Sequence, residues 1–83
     1  MLSIKIREAK FEDAEVISRL STQLGYPASE MDIQNNLLAI ASTKLGNVFV
    51  AYSENTVTGW IYLYRHTDLS TGKYMEIMGL VVD

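Results

Sequence analysis

Lys73-Tyr-Met-Glu-Ile-Met-Gly-Leu-Val-Val-Asp83 decides how the rest of the chain is read. It is a run of β-formers and apolar residues with one charge inside it, Glu76. The run is too short for a capped helix and long enough for a strand buried on both faces. A carboxylate in such a strand requires either a partner or a chemical task. The strand reads as central, yet the sequence stops directly after it, which predicts that the elements completing the architecture are missing or are supplied by a partner.

Working back from this strand, two further strands are predicted at 58–67 and 48–53. The intervening Glu54–Val57 and Asp68–Gly72 segments have hairpin-turn composition, so the three strands form an antiparallel meander. A two- or four-residue loop centred on Ser70 and Thr71 places Arg65 opposite Glu76 and Leu63 opposite Met78. A four-residue loop at 54–57 places Val50 opposite Ile61. One face then carries Val48, Val50, Ile61, Leu63, Arg65, Glu76, Met78 and Leu80. The other carries Phe49, Ala51, Trp60, Tyr62, Tyr64, Met75, Ile77 and Val81. Both faces are largely apolar.

Upstream, Ser3 to Ala9 alternates, with Ile4 and Ile6 on one side and Ser3, Lys5 and Arg7 on the other, predicting a short edge strand. From Phe11 to Leu24 the period becomes helical. Ala14, Ile17, Leu20 and Leu24 form the apolar stripe, while Glu12, Asp13 and Glu15 read as a solvated face whose first-turn acids suit the helix dipole. Gly25 predicts a left-handed cap and Pro27 a stop. Ser29 followed by Asp32 reads as a capping box opening a second helix, with Ile33, Leu37, Ile40 and Ala41 as its buried stripe and Gly46 and Asn47 closing it. The Asn35–Asn36 pair makes this the softer helix. Two helices cover one face of the sheet, and nothing in the sequence covers the other.

At 83 residues the chain is one domain (1–83) with a thin stability margin. Hydrophobic residues make up 48% and charged residues 20%, a balance that argues against disorder. The net charge of -3 comes with scattered basic residues, which argues against nucleic acid or an anionic membrane surface as partner. With no cysteine there is neither a disulfide framework nor a thiolate metal site, and the one histidine, His66, makes no metal site unaided. The first residues lack the apolar core of a signal peptide and no run is long enough to span a membrane, so a cytoplasmic location is expected.

The β-α-α-β-β-β order, Leu24-Gly25-Tyr26-Pro27 between the helices, and the final strand together resemble the GNAT (GCN5-related) N-acetyltransferases. The opening Ile6, Arg7, Ala9 followed by Asp13, Ala14 and Ile17 is similar to small bacterial members. Lys10 departs from the Thr or Ser that commonly caps the first helix. The resemblance covers residues 4–83 and implies an α+β fold, the N-terminal half of a truncated GNAT domain with a mainly antiparallel sheet. The family's acetyl-CoA pyrophosphate loop would begin beyond Asp83. The implied activity is acetyl transfer from acetyl-CoA to a primary amine, without a metal. Glu76 matches the family's general base. Leu80, Val81 and Val82 match the backbone that holds the pantetheine arm, beside a bulge suited to Gly79. Leu24, Gly25 and Tyr26 match the segment bordering the acceptor site.

Simpler roles stand beside these. Glu76 is either a base desolvated by Met78 and Leu80 or half of an ion pair with Arg65. His66 reads as a surface residue at a hairpin end, Trp60, Tyr62 and Tyr64 as sheet packing, and Tyr26 as a core cap or pocket wall. The alternative to an enzyme is an inactive truncated module that self-associates, as a homodimer, through its bare face or last strand.

Overall fold

The element order expected from periodicity is the order observed in the computed structural model, which describes residues 4–82. It runs β1 (Lys5–Glu8), one 3-10 turn (Phe11–Asp13), α1 (Ala14–Gln23), α2 (Glu30–Thr43), β2 (Gly46–Ser53), β3 (Thr56–Asp68) and β4 (Gly72–Val82). Ser3 and Asp83, the predicted outer ends of the first and last strands, lie outside the described residues. The strands form one antiparallel sheet in the order β1-β2-β3-β4. β1 is an edge, as its alternation predicts. Among the described residues β4 is the other edge, and Val81 is its one buried residue, so the expectation of a strand buried on both faces is not met.

The first hairpin loop is shorter than the four residues expected and the second is odd where two or four residues were expected, and this moves the register. Ser53 pairs with Thr56 across a two-residue turn in which Glu54 (φ 51°) and Asn55 (φ 67°) are both left-handed. That is the turn geometry whose twist matches paired strands. A bulge follows, because Tyr52 pairs with Val57 but Ala51 with Gly59, so Val50 lies opposite Trp60 rather than Ile61. At the second hairpin Asp68 pairs with Gly72, leaving an odd loop of Leu69, Ser70 and Thr71. The Asp68 carboxylate accepts hydrogen bonds from the Ser70 N–H and hydroxyl and the Thr71 N–H, and Gly72 at φ 80° completes the turn. These bonds hold the Asp68 carboxyl below its usual range, the Ser70 hydroxyl being the main cause. An odd loop shifts pairing by one, which places Arg65 opposite Met75, Tyr64 opposite Glu76 and Leu63 opposite Ile77. The expected Arg65–Glu76 and Leu63–Met78 pairs are therefore not formed. A bulge at Met78, one residue before the Gly79 expected for it, restores the anticipated phase, with Tyr62 opposite Gly79 and Ile61 opposite Leu80.

The faces are redistributed accordingly. Val48, Val50, Trp60, Tyr62, Tyr64, Glu76, Gly79 and Val81 share the helix side, while Ile6, Phe49, Ala51, Ile61, Leu63, Ile77 and Leu80 share the other. The core is Ala14, Ile17 and Leu20 of α1 against Val48, Val50 and Val81. Leu24, expected in the stripe, is 42% exposed because the helix has already ended. Among the described residues nothing covers the outer face: Ile6, Ile77 and Leu80 expose 71%, 58% and 56% of their surface.

Short polar contacts tie β1 to the start of α1. The Lys10 side chain makes no cap hydrogen bond. Instead Asp13 reaches back and accepts from the Lys10 N–H at 2.6 Å. It also takes a two-pronged pair from Arg7 at 2.8 and 2.9 Å. Asp13 is buried, which corrects its reading as part of a solvated face. The Arg7 hydrogen bond holds its carboxyl below the usual range against the opposing pull of burial, and the same bond raises the Arg7 guanidinium. At the other end of α1 the Tyr26 N–H donates to Ser21 O and the Gly25 N–H to Thr22 O, with Gly25 at φ 93°. This is the Schellman closure that the glycine predicts.

α2 opens as expected, its Asp32 N–H donating to Ser29 Oγ at 3.0 Å. It closes earlier than expected, on Lys44 in the left-handed region at φ 59°, and Gly46 already belongs to β2. Ile33, Leu37 and Ile40 are half-buried, Ala41 is exposed, and no residue of α2 is fully buried. The helix rests on the sheet rather than inserting into it.

Candidate active site

Glu76 projects from β4 on the helix side, beside Tyr64 on the neighbouring strand. Its side chain is about half exposed at 52%, so it lacks the desolvation by Met78 and Leu80 that the sequence suggested; Leu80 faces the other way. The ion pair expected with Arg65 is also absent. Arg65 faces the opposite side and its guanidinium donates to the Lys44 carbonyl at the end of α2.

His66 stands where Arg65 was expected. Its Nε2 lies 2.7 Å from Glu76 Oε1, a short contact whose N–H is not aligned as a hydrogen bond. The imidazole is stacked on Tyr74, ring centroids 5.0 Å apart and planes within 14°, and Tyr64 flanks it at 4.8 Å. Tyr64, His66, Tyr74 and Glu76 therefore form one cluster on the helix-side face of the β3–β4 hairpin. The sequence held the signal for it: Asp68 as an Asx-turn former and Gly72 as the left-handed residue imply a three-residue loop, which puts His66 on the same face as Glu76.

Farther along β4 the strand is shaped by glycine and tryptophan. Trp60 Nε1–H donates to Ser21 Oγ at 3.2 Å, anchoring the ring beneath α1. A methyl group on Gly79 would meet that ring at 2.9 and 3.0 Å, so the bare backbone of Gly79 is what lets the indole lie across β4. Trp60 pairs with Val81, and Ser21 also accepts, through its carbonyl, the Tyr26 N–H. The 24–26 loop thus connects through Ser21 and Trp60 to the stretch of β4 that holds Leu80, Val81 and Val82. Tyr26 itself is 70% exposed and fills no core position.

On its outer edge β4 has no neighbour among the described residues, so alternate residues there present unpaired N–H and C=O groups. Val81 is buried, while Leu80 and Val82 are exposed at 56% and 68%. Separately, a cleft of about 340 Å³ opens between the helices and the sheet, lined by Ile17, Ile33, Leu37, Ile40, Trp60 and Tyr62. Neither Glu76 nor the 24–26 loop lines it. Among the described residues no group of three or more His, Cys, Asp or Glu could hold a metal ion, and no helix is long and apolar enough to cross a membrane.

Solved structures share this architecture. The chain superimposes on a GNAT family acetyltransferase from Staphylococcus aureus with a TM-score of 0.83 at 25% identity, over 96% of this chain and 62% of that one. A glucosamine-6-phosphate N-acetyltransferase from Arabidopsis thaliana gives 0.80 at 20% identity, over 98% and 60%. A transcriptional regulator from Bacillus halodurans gives 0.82 at 17% identity, over 96% and 60%, a likeness of fold alone. A scan against protein-family models finds no match, and a search of curated proteins finds none either. The chain has the fold of the first part of a GNAT acetyltransferase and spans about three-fifths of the length of the structures it matches.

Proposed function

We propose, from a chain built as the first part of the GNAT fold, a cytoplasmic acetyl-CoA-dependent N-acetyltransferase that acts on a primary amine. The observation that supports this most is the construction of β4. One open edge carries a carboxylate at Glu76, a bulge at Met78, and then the Leu80–Val82 backbone with no strand paired on its outer side among the described residues. That unpaired edge suits an extended amide-bearing arm such as pantetheine, held by backbone hydrogen bonds as an added strand would be.

In this reading Leu80, Val81 and Val82 align the arm, and bound acetyl-CoA supplies the thioester carbon to be attacked. Glu76 takes the proton from the acceptor ammonium, directly or through a water, so that a neutral nitrogen can attack. Its half-open side chain gives an amine or a water access. Leu24, Gly25 and Tyr26 border the acceptor, and the exposed Tyr26 ring offers it a surface.

The test is a melting curve with and without acetyl-CoA, followed by acetyl transfer to a panel of amines. A ligand at 100 times its Kd stabilises the native state by about 2.7 kcal/mol. Glu76→Gln should leave that stabilisation in place while lowering turnover by about 100-fold or more. No shift at millimolar acetyl-CoA would sink the proposal for this chain.

A second reading is favoured by the bare outer face of Ile6, Ile77 and Leu80. It is an inactive module that pairs as a homodimer through that face or through the edge of β4. Sedimentation across a wide concentration range decides it, since a monodisperse 9.3 kDa species throughout removes the dimer.

A further inference from the structure

His66 is the group the function above leaves unused, and its surroundings are too specific for a hairpin-end surface residue. Its Nε2 is shut off from solvent and has no aligned hydrogen bond. A buried polar nitrogen without a partner is costly. The acceptor beside it is Glu76 Oε1 at 2.7 Å. At that separation two lone pairs would repel, so Nε2 is the nitrogen that carries a proton beside the carboxylate, although the N–H does not yet point along the line to Oε1. The ring cannot swing away easily, with Tyr74 stacked on one side and Tyr64 packed at a tilt.

We propose that His66 is a positioning residue for Glu76. Its Nε2–H ties down Oε1 and leaves Oε2 as the free oxygen that faces the acceptor amine. This rests on the reading of Glu76 as the base. A two-pointed carboxylate on an exposed strand would otherwise rotate among several orientations, and fixing one oxygen presents the other in one place. The half-exposed Glu76 side chain has room for the small turn that brings Oε1 into line with the Nε2–H. Among the described residues the other ionisable side chains around the imidazole are Tyr64 and Tyr74, whose rings pack against it, and Arg65 and Lys73, which line the same surface hollow. Arg65 is already committed to the Lys44 carbonyl.

The chain has one histidine, so its imidazole can be followed without assignment ambiguity. Proton-detected nitrogen NMR of the full chain should show a protected Nε2–H near neutral pH, which Glu76→Ala abolishes. A freely exchanging Nε2–H in the unsubstituted chain, or one indifferent to Glu76→Ala, overturns the proposal. Turnover then separates a positioning role from packing. His66→Phe keeps the ring stack and removes the donor, and should lower kcat about tenfold or more with KM little changed. His66→Gln keeps a donor, loses the stack and should recover most of kcat. The reverse order would show that the ring serves packing alone and overturns the assignment. If Glu76→Gln itself leaves transfer unimpaired, the base reading falls and this role falls with it. If Glu76→Gln is impaired while His66→Phe is not, only His66 is excluded.

Discussion

Asp13→Ala should be strongly destabilising, because this buried carboxylate accepts three hydrogen bonds. It accepts both prongs of Arg7 and the Lys10 N–H, at 2.6 to 2.9 Å, from a position only 7% exposed. A hydrogen bond to a charged group contributes about 1.5–3 kcal/mol. Arg7 is one-third exposed and rehydrates when its partner is removed, so the ionic part is discounted. The net loss is then roughly 2–3 kcal/mol, including the missing cap at the start of α1. An 83-residue chain holds about 4–12 kcal/mol in all, so this is a large share. With each kcal/mol moving Tm by about 4–8 °C in a domain of this size, the melting curve should fall by on the order of 10–20 °C.

Circular dichroism melts at neutral pH measure the effect, with the exposed Glu12→Ala as control, expected within about 0.5 kcal/mol of the parent. The pH dependence supplies an independent check. The Asp13 carboxyl is held below its unfolded value by Arg7. Its contribution is therefore fully present above the unfolded pKa of about 4 and is lost as pH falls through the folded one. The gap between parent and Asp13→Ala should be constant from neutrality down to about pH 5 and then close on acidification. A variant that melts with the control, or a gap that does not narrow in acid, would refute the reasoning.

Gly79→Ala should cost about 1–3 kcal/mol, since the new methyl meets the Trp60 ring at 2.9 Å while that ring is tethered to Ser21; tryptophan fluorescence should report the displacement. Gly25→Ala has open space around it but sits at φ 93°, so a loss of about 1 kcal/mol or more in denaturant titration isolates backbone strain from crowding. Replacing the left-handed pair by Glu54→Asn together with Asn55→Gly should stabilise by roughly 0.5–1 kcal/mol, because that dipeptide favours the observed turn; an unchanged chemical-denaturation midpoint would argue against the assigned geometry. Ile77→Lys, on the bare face, should leave the melting temperature within a few degrees while suppressing any concentration-dependent association.

Periodicity and punctuation by themselves determined the element order, because helical stripes, strand alternation and terminator residues are local properties. Ile17 and Leu20 enter the core as their spacing requires, Gly25 closes α1, and Ser29 opens α2. The uncovered sheet face was equally legible, since two helices can shield only one side. What only the tertiary structure decided was register, and with it the neighbours of Glu76. A strand repeats every two residues, so one residue more or less in a loop exchanges every side chain between faces. The odd loop after Asp68 turned Arg65 away and brought His66 to the carboxylate, and the bulge at Met78 reset the phase before Leu80. Asp13 was misread for a related reason. Whether a first-turn acid is solvated or buried depends on what β1 sets against it, and Arg7 becomes its partner only when strand and helix are packed together.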